Sequence, residues 1–316
     1  MKNYLPNLKK ATQWIRHKLK PISLLLESDL QRAIRHEEFT FFYQPQINLK
    51  TGQVTGVEAL LRWHHPQKGM IAPAAFIPLL EHTKLIHELT PFLFRKSTED
   101  LKKLHTLGFK KLTMAVNLST IQLEDPKLAT KLSKQLKKLK IEPQYIECEI
   151  TETEMMGNLS RDLQILKEIS DLGVHLSIDD FGTGYASFNY LRCLNVQKLK
   201  IDKDFVASLF EHKNNEIILS AIMDLGHRLK LDVLAEGVET KGQEEWLKKN
   251  SCDMAQGFYF ARPMPFNDLV SFLERQKSQG QESNTATRSK ESYQKQAKNN
   301  TSKQHIINKK VIWRDK

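Results

Sequence analysis

From residue 27 onward the chain alternates two kinds of apolar pattern. FTFFYQPQINL (39–49) and QVTGVEALLRW (53–63) are rich in β-branched and aromatic residues and flank Thr51-Gly52, which predicts a β-hairpin after a helix over 28–36. Beyond it, helix-like stretches occupy 73–105, 125–139, 160–172, 215–229 and 242–249. Brief apolar runs alternate with them: KLTMAVN (111–117), YIECEIT (145–151), VHLSID (174–179), VQKLKID (196–202) and DVLAE (232–236). MAQGFYF (254–260) reads as a last strand and FNDLVSFLERQ (266–276) as a closing helix. Near-continuous apolar strands imply a sheet covered on both faces. Regular strand–helix alternation predicts one α/β domain, a modified (β/α)8 TIM-like barrel in which the hairpin makes one strand antiparallel. A doubly wound open sheet is the alternative, but no GxGxxG or P-loop signature supports it.

The flanks differ. In 8–20, Leu8, Ala11, Trp14, Ile15 and Leu19 would share one helix face until Pro21, so residues 1–26 read as a basic N-terminal extension with an amphipathic helix. Such a helix either meets a membrane surface or partner, or packs on the domain or frays. Residues 276–304 are rich in Gln, Lys, Ser and Asn and too poor in apolar groups to offset chain entropy, which predicts a disordered tail over 276–316. The intervening 27–275 is the expected folded domain.

Charge follows the same division. The net charge is +11, yet residues 1–26 hold six Lys/Arg and no acid, and 275–316 hold eleven against three. The remaining 27–274 therefore carries 31 Lys/Arg and 34 acids, a net of −3. A nucleic-acid-binding fold would carry the excess on its body, so no specific nucleic-acid binding is expected. The tails could recruit a membrane surface or a protein partner. Cys148, Cys193 and Cys252 lack metal-ligand spacing, and an odd, sparse set suits a reducing compartment. With no signal peptide and no apolar run of membrane-spanning length, the expectation is a cytoplasmic protein, peripheral to the inner membrane if the tails bind there.

Candidate chemistry gathers where strands end. Glu58 sits in GVEALLRW, Asn117 closes LTMAVN, Glu149 sits in YIECEITE, Asp179 and Asp180 follow VHLSI, and Glu236 ends LDVLAE. Hard divalent cations take oxygen ligands, chiefly carboxylates with some amide carbonyls. Several strand ends supplying them is the layout of a barrel with its site at one rim. Singly, each carboxylate could cap a helix or form a surface ion pair, which is the reading for Glu147. Together on one rim they would repel unless cations are present.

FYQPQ (42–46), EALLRW (58–63), VNLS (116–119), EITE (149–152), DDFGTGYAS (179–187), LKID (199–202), AEGVET (235–240) and CDMAQGFYFARP (252–263) occur in order, and together they resemble the EAL-domain family of bacterial cyclic di-GMP phosphodiesterases. The resemblance implies a barrel with an antiparallel first strand and two Mg²⁺ or Mn²⁺ ions. It places Glu58, Asn117, Glu149 and Asp179 on one ion, Asp179 and Asp180 on the second, and Glu236 at the site directly or through water. Two ions can activate a water and stabilise the leaving oxygen of an in-line displacement. Lys200 and Gln256 are implied beside the attacking water. A lysine with its ordinary pKa of about 10.4 is a poor base, so Lys200 reads as electrostatic and positioning support. Gln44 and Arg62 are implied in substrate binding, with Asp202 and Glu239 around them, and Arg62 offers a planar fork suited to phosphate. Glu152 is implied to hold the 179–187 loop, which in the family couples the site to a homodimer. Ala186 and Ala261 stand where Ser is more usual. The implied reaction is hydrolysis of cyclic di-GMP to linear pGpG, lowering a second messenger. The alternatives are a catalytically weak cyclic di-GMP sensor and an interaction module.

Overall fold

The computed structural model describes residues 26–151, 159–182, 191 and 193–278. The helix expected over 8–20, Glu152, the 183–190 part of the Gly-containing loop and the tail from 279 lie outside the described residues.

After helix α1 (Glu27–Arg35), strands β1 (Phe39–Asn48) and β2 (Val54–His65) form the expected hairpin. The turn between them has Asn48 Oδ1 accepting from the Thr51 backbone at 2.9 Å, and Gly52 takes a φ of 70° that a side chain would resist. A short β3 (Gly69–Ile71) folds back on β2, a strand the apolar pattern does not announce. Then come α2 (Pro73–His82), α3 (Ile86–Thr106), β4 (Thr113–Asn117), α4 (Leu128–Leu139), β5 (Ile146–Thr151), α5 (Leu159–Asp171), β6 (His175–Phe181) and β7 (Lys198–Ile201). The short α6 (Lys203–Ala207), α7 (Lys213–Arg228), β8 (Asp232–Ala235), α8 (Lys241–Lys249) and β9 (Met254–Ala255) complete the order.

The sheet runs β1-β9-β8-β7-β6-β5-β4-β2 and closes through β1–β2 pairing. β1 is antiparallel to both neighbours, and the other seven strands of the ring are mutually parallel. This is the expected modified barrel with an antiparallel first strand. The face of the barrel turned toward the helices is apolar at Val57, Met114, Leu176, Ile178, Leu199, Ile201 and Val233, all essentially without solvent exposure. Helices cover it with one apolar face each. In α4, Leu128, Leu132 and Leu136 are buried at helical spacing, each contributing about 1.5–3 kcal/mol, while its lysines face outward. Lys140 ends that helix with a left-handed φ of 52°. Thr240 and Gln243 start α8 reciprocally: the Gln243 N–H donates to Thr240 Oγ1, and the Thr240 N–H donates to Gln243 Oε1.

Two expected elements differ. The helical run over 73–105 is two helices, because Lys84 adopts a φ of 58° and Thr83 Oγ1 turns back to the Leu79 carbonyl at 2.7 Å. The last strand is two residues rather than MAQGFYF, since the chain turns at Gly257, whose carbonyl accepts from the backbones of Phe260 and Ala261. All three cysteines are free thiols. Among the described residues no helix is long and apolar enough to cross a membrane. By contacts the chain divides into Met1–Leu269 and Val270–Lys316; of the second unit, 270–278 are described and helical.

Candidate active site

The parallel strands deliver their polar residues to one end of the barrel because each carries them near its C-terminus. Register aligns them: Gln44 opposes Glu58 across β1–β2, Asn117 opposes Glu149 across β4–β5, and Thr151 opposes Asp179 across β5–β6. Glu236 lies one residue past β8 and Gln256 one past β9.

Lys200 stands at the centre. Its Nζ lies 2.8 Å from Glu236 Oε1, 2.9 Å from Glu149 Oε2, 3.1 Å from Asp179 Oδ2 and 3.8 Å from Glu58 Oε2, and its side chain is wholly buried. Its ion-pair partners are thus the rim carboxylates themselves. Burial would strip this ammonium of its proton, but Asp179, Glu149, Glu236 and Glu58 outweigh burial and hold it protonated, well above its ordinary range.

The acids show the opposite effect. Burial raises Glu149 well above the usual carboxylate range despite Lys200, with Glu58 and Asp179 adding repulsion. Burial likewise raises Asp179, against the pull of Lys200. Glu236 is pushed up to about 8, first by burial and then by Asp179 and Glu58, again against Lys200. Asp180 is pushed up to about 6 by burial, by Asp179 and by Asp202 beside it. One cation therefore does not neutralise this cluster.

An amide network frames the acids. Asn117 Nδ2 donates to Glu58 Oε1 at 2.9 Å, and Gln256 Nε2 donates to Glu58 Oε2 at 2.5 Å and to Gln44 Oε1 at 3.0 Å. Gln44 Nε2 in turn donates to the Ala261 carbonyl at 3.0 Å. Both glutamines are buried, so this chain fixes both oxygens of Glu58. Asp180 has a φ of 53°, beside a register shift between Ile178 and Phe181, and its N–H donates to Asp179 Oδ1 at 2.9 Å. The bulge turns consecutive aspartates toward one place, where a non-glycine left-handed residue is uncommon.

Arg62 is half-buried on β2, its guanidinium 5.5 Å from the Phe42 ring centre and donating to the Leu61 carbonyl at 2.9 Å. Burial lowers its pKa while nearby Glu58 opposes that. Asp202 is buried and caps α6, accepting from the Asp204 N–H at 2.8 Å. Glu239 is the exception among the described candidates: it is exposed at the start of α8, its backbone N–H donating to Gln243 Oε1, and nothing ties its carboxylate to the cluster.

Glu147 departs from the surface reading. It is buried and pairs with buried Lys198, Nζ to Oε2 2.6 Å, while Lys198 also donates to Gln46 Oε1 at 3.1 Å. Glu147 and Glu149 share a face of β5, as Lys198 and Lys200 share a face of β7, so a second charged tier lies next to the first inside the barrel. The signal was present as two i, i+2 pairs of like charge in otherwise apolar strands.

Carboxylate oxygens of Asp179, Asp180 and Glu236 lie within 4.8 Å of one another, close enough to share an ion. Glu149 Oε1 is buried without a hydrogen-bond partner among the described residues, an acceptor left for a cation. The donor set is all oxygen, which suits a hard divalent metal.

Comparison with known proteins agrees with this architecture. The family model of the EAL domain matches residues 27–263. The cyclic di-GMP phosphodiesterase NbdA of Pseudomonas aeruginosa is 37% identical over 250 residues, covering 79% of this chain and 32% of that protein. The bifunctional diguanylate cyclase/cyclic di-GMP phosphodiesterase MucR of the same organism is 39% identical over 248 residues, covering 78% and 36%. The chain thus spans about a third of the length of these curated relatives. The solved MucR phosphodiesterase in complex with c-di-GMP superposes with a TM-score of 0.73 at 39% identity, covering 77% of this chain and 98% of that one. An EAL domain protein from Listeria monocytogenes EGD-e gives 0.68 at 31% identity, covering 78% and 97%.

Proposed function

Because the chain belongs to the EAL-domain family, we propose that it is a metal-dependent phosphodiesterase that hydrolyses cyclic di-GMP to linear pGpG. The observation that carries this reading is the convergence of Glu58, Glu149, Asp179 and Glu236 around Lys200 at the open strand ends. The relatives named for this activity and the neighbour solved with c-di-GMP support it.

Glu58, Asn117, Glu149 and Asp179 would hold one divalent ion, Mg²⁺ or Mn²⁺. Asp179 and Asp180 would hold a second, with Glu236 reaching the site directly or through water. When bound, such ions make water a better nucleophile and neutralise charge developing on phosphoryl oxygens.

The remaining steps fall to the chain's own side chains. Lys200 stays protonated among the acids, so it supplies fixed positive charge toward the reacting phosphate rather than accepting a proton. Gln256 fixes Glu58 through one amide hydrogen and leaves its own buried Oε1 without a partner among the described residues, free to orient a water. Arg62, stiffened over Phe42, is placed to grip a phosphate by its planar fork. Gln44, Asp202 and Glu239 border the substrate; Glu152, for which the family resemblance implies a role with the loop after β6, lies outside the described residues. The protein works as a homodimer in the cytoplasm, its basic tails available to a membrane surface or protein partner.

Incubating the protein with cyclic di-GMP and Mg²⁺ or Mn²⁺, with and without a chelator, tests this by chromatography. Metal-dependent pGpG is expected. Cyclic di-GMP recovered intact from folded, metal-supplied protein contradicts the proposal and, if the ligand was bound, supports a sensor.

A further inference from the structure

The end of the barrel away from the candidate active site has an unusual charge. Residues 102–141 contain ten lysines and two acids, on a 27–274 body whose net charge is −3. The two acids, Glu124 and Asp125, lie between β4 and α4, on the catalytic side, and each pairs with a lysine: Glu124 with Lys84 and Asp125 with Lys131. Of the lysines without an acidic partner among the described residues, Lys127 lies on the catalytic side, while six gather at the other end, where exposed Glu142 is the neighbouring acid.

Topology gathers them. α3 and α4 both finish at the end where β4 and β5 begin, and these strands are parallel neighbours with Met114 opposite Ile146. The two helices are tied by Gln135 Nε2 donating to Thr98 Oγ1 at 3.1 Å. The loop after α3 is fastened to the segment before β5: the His105 ring meets Tyr145 edge-on at 4.8 Å, and His105 Nε2 bonds the Leu112 carbonyl at 2.9 Å. Lys110 and Lys111 on the first loop therefore adjoin Lys137, Lys138 and Lys140 at the end of α4, with Lys134 one turn earlier. All six are exposed, and none has an acidic partner among the described residues. Leu107, 51% exposed, projects from the same loop.

A lysine-bearing helix face is often simply solvated, but on α5 and α8 several such lysines have acidic partners. Lys167 pairs with Asp171 on α5, and Lys241 with Glu245 and Lys248 with Glu244 on α8. The α3–α4 end lacks that balance.

We propose that this end of the barrel is a docking surface for an anionic lipid bilayer. Unpaired lysines on a rigid surface are attracted by anionic headgroups, and the attraction adds per residue within a Debye length. Leu107 favours lipid over nucleic acid, since an exposed apolar side chain just before Lys110 and Lys111 can enter the headgroup region but has no partner on a phosphodiester backbone. Docked this way, the protein would point its metal-binding rim away from the membrane, open to a soluble dinucleotide. The inference stands whether or not the chain hydrolyses cyclic di-GMP.

The test is co-sedimentation of the full chain with vesicles of phosphatidylcholine alone or mixed equally with phosphatidylglycerol. The expected result is binding to the anionic vesicles only, weakened at least about tenfold by the joint replacement Lys110→Glu, Lys111→Glu, Lys137→Glu and Lys138→Glu. Leu107→Ser, a milder change, should also weaken it. Circular dichroism and thermal melting confirm that the variants fold. Reversing four tail charges (Lys290, Lys295, Lys298 and Lys303 to Glu) should have the smaller effect. Equal binding to neutral vesicles, or loss only on tail reversal, overturns the proposal. So does a face reversal that abolishes retention by duplex DNA while vesicle binding persists.

Discussion

Lys198 Nζ lies 2.6 Å from Glu147 Oε2, and both side chains are buried inside the barrel, two residues before Lys200 and Glu149 on the same two strands. Glu147 is held below the usual carboxylate range because Lys198, by charge and hydrogen bond, overcomes the effect of burial. The pair leaves Lys200 to serve the rim acids rather than the acid beneath them.

Removing one partner of a buried pair leaves a buried charge unmatched. Lys198→Met is therefore expected to cost about 3–5 kcal/mol of stability, whereas Lys198→Met with Glu147→Met recovers most of it. Urea denaturation of both variants measures this. A loss under about 1 kcal/mol in the single variant would show that water, not Lys198, solvates Glu147.

The rim acids link metal binding to pH. Asp180 near 6 and Glu236 near 8 are raised above their unfolded values, so between roughly pH 4.5 and 8 the metal-free fold binds protons that the unfolded chain does not. Their contribution therefore weakens the metal-free fold as pH rises through that window. A divalent ion displaces the same protons, so its affinity should rise with pH, about tenfold or more from about pH 6 to about pH 8. Calorimetric titration with Mn²⁺ reads this directly, and an affinity indifferent to pH would contradict it.

Gly257 permits the backbone approach that positions Gln256. A Cβ there would sit 2.1 Å from the Val238 carbonyl oxygen and 2.3 Å from the Val238 nitrogen, backbone atoms that cannot swing aside. Gly257→Ala should displace Gln256 from Glu58 and cost more than about 2 kcal/mol together with most activity. Unchanged melting and turnover would show that the two segments separate freely.

The barrel was legible because its strands read as short, mostly apolar runs alternating with helices, with acidic or amide residues set among or just after them. That pattern located Glu58, Asn117, Glu149, Asp179 and Glu236 before any contact was known. The contacts among them were not legible, since they join residues far apart in sequence. Gln256 reaches Glu58 and Gln44 across some two hundred positions, and nothing local to CDMAQGFYF announces it. Lys84 broke the expected helix over 73–105 through its own left-handed backbone, which lysine composition does not signal. Glu147 reads as a surface acid when taken singly; its i, i+2 spacing with Glu149 marks a shared face, but nothing local names its partner Lys198, 51 residues away. The roles of Glu152 and the 183–190 loop rest on family resemblance, because those residues lie outside the described ones.

In the proposed function, the acids around Lys200 form the metal centre of a cyclic di-GMP phosphodiesterase. Chromatographic product analysis of the wild type and Glu58→Ala, side by side with cyclic di-GMP and Mn²⁺, tests it most directly. The expected result is pGpG from the wild type and, from a variant that still folds, at least about a hundredfold less. Equal turnover by Glu58→Ala, or no product from a folded wild type, would contradict it.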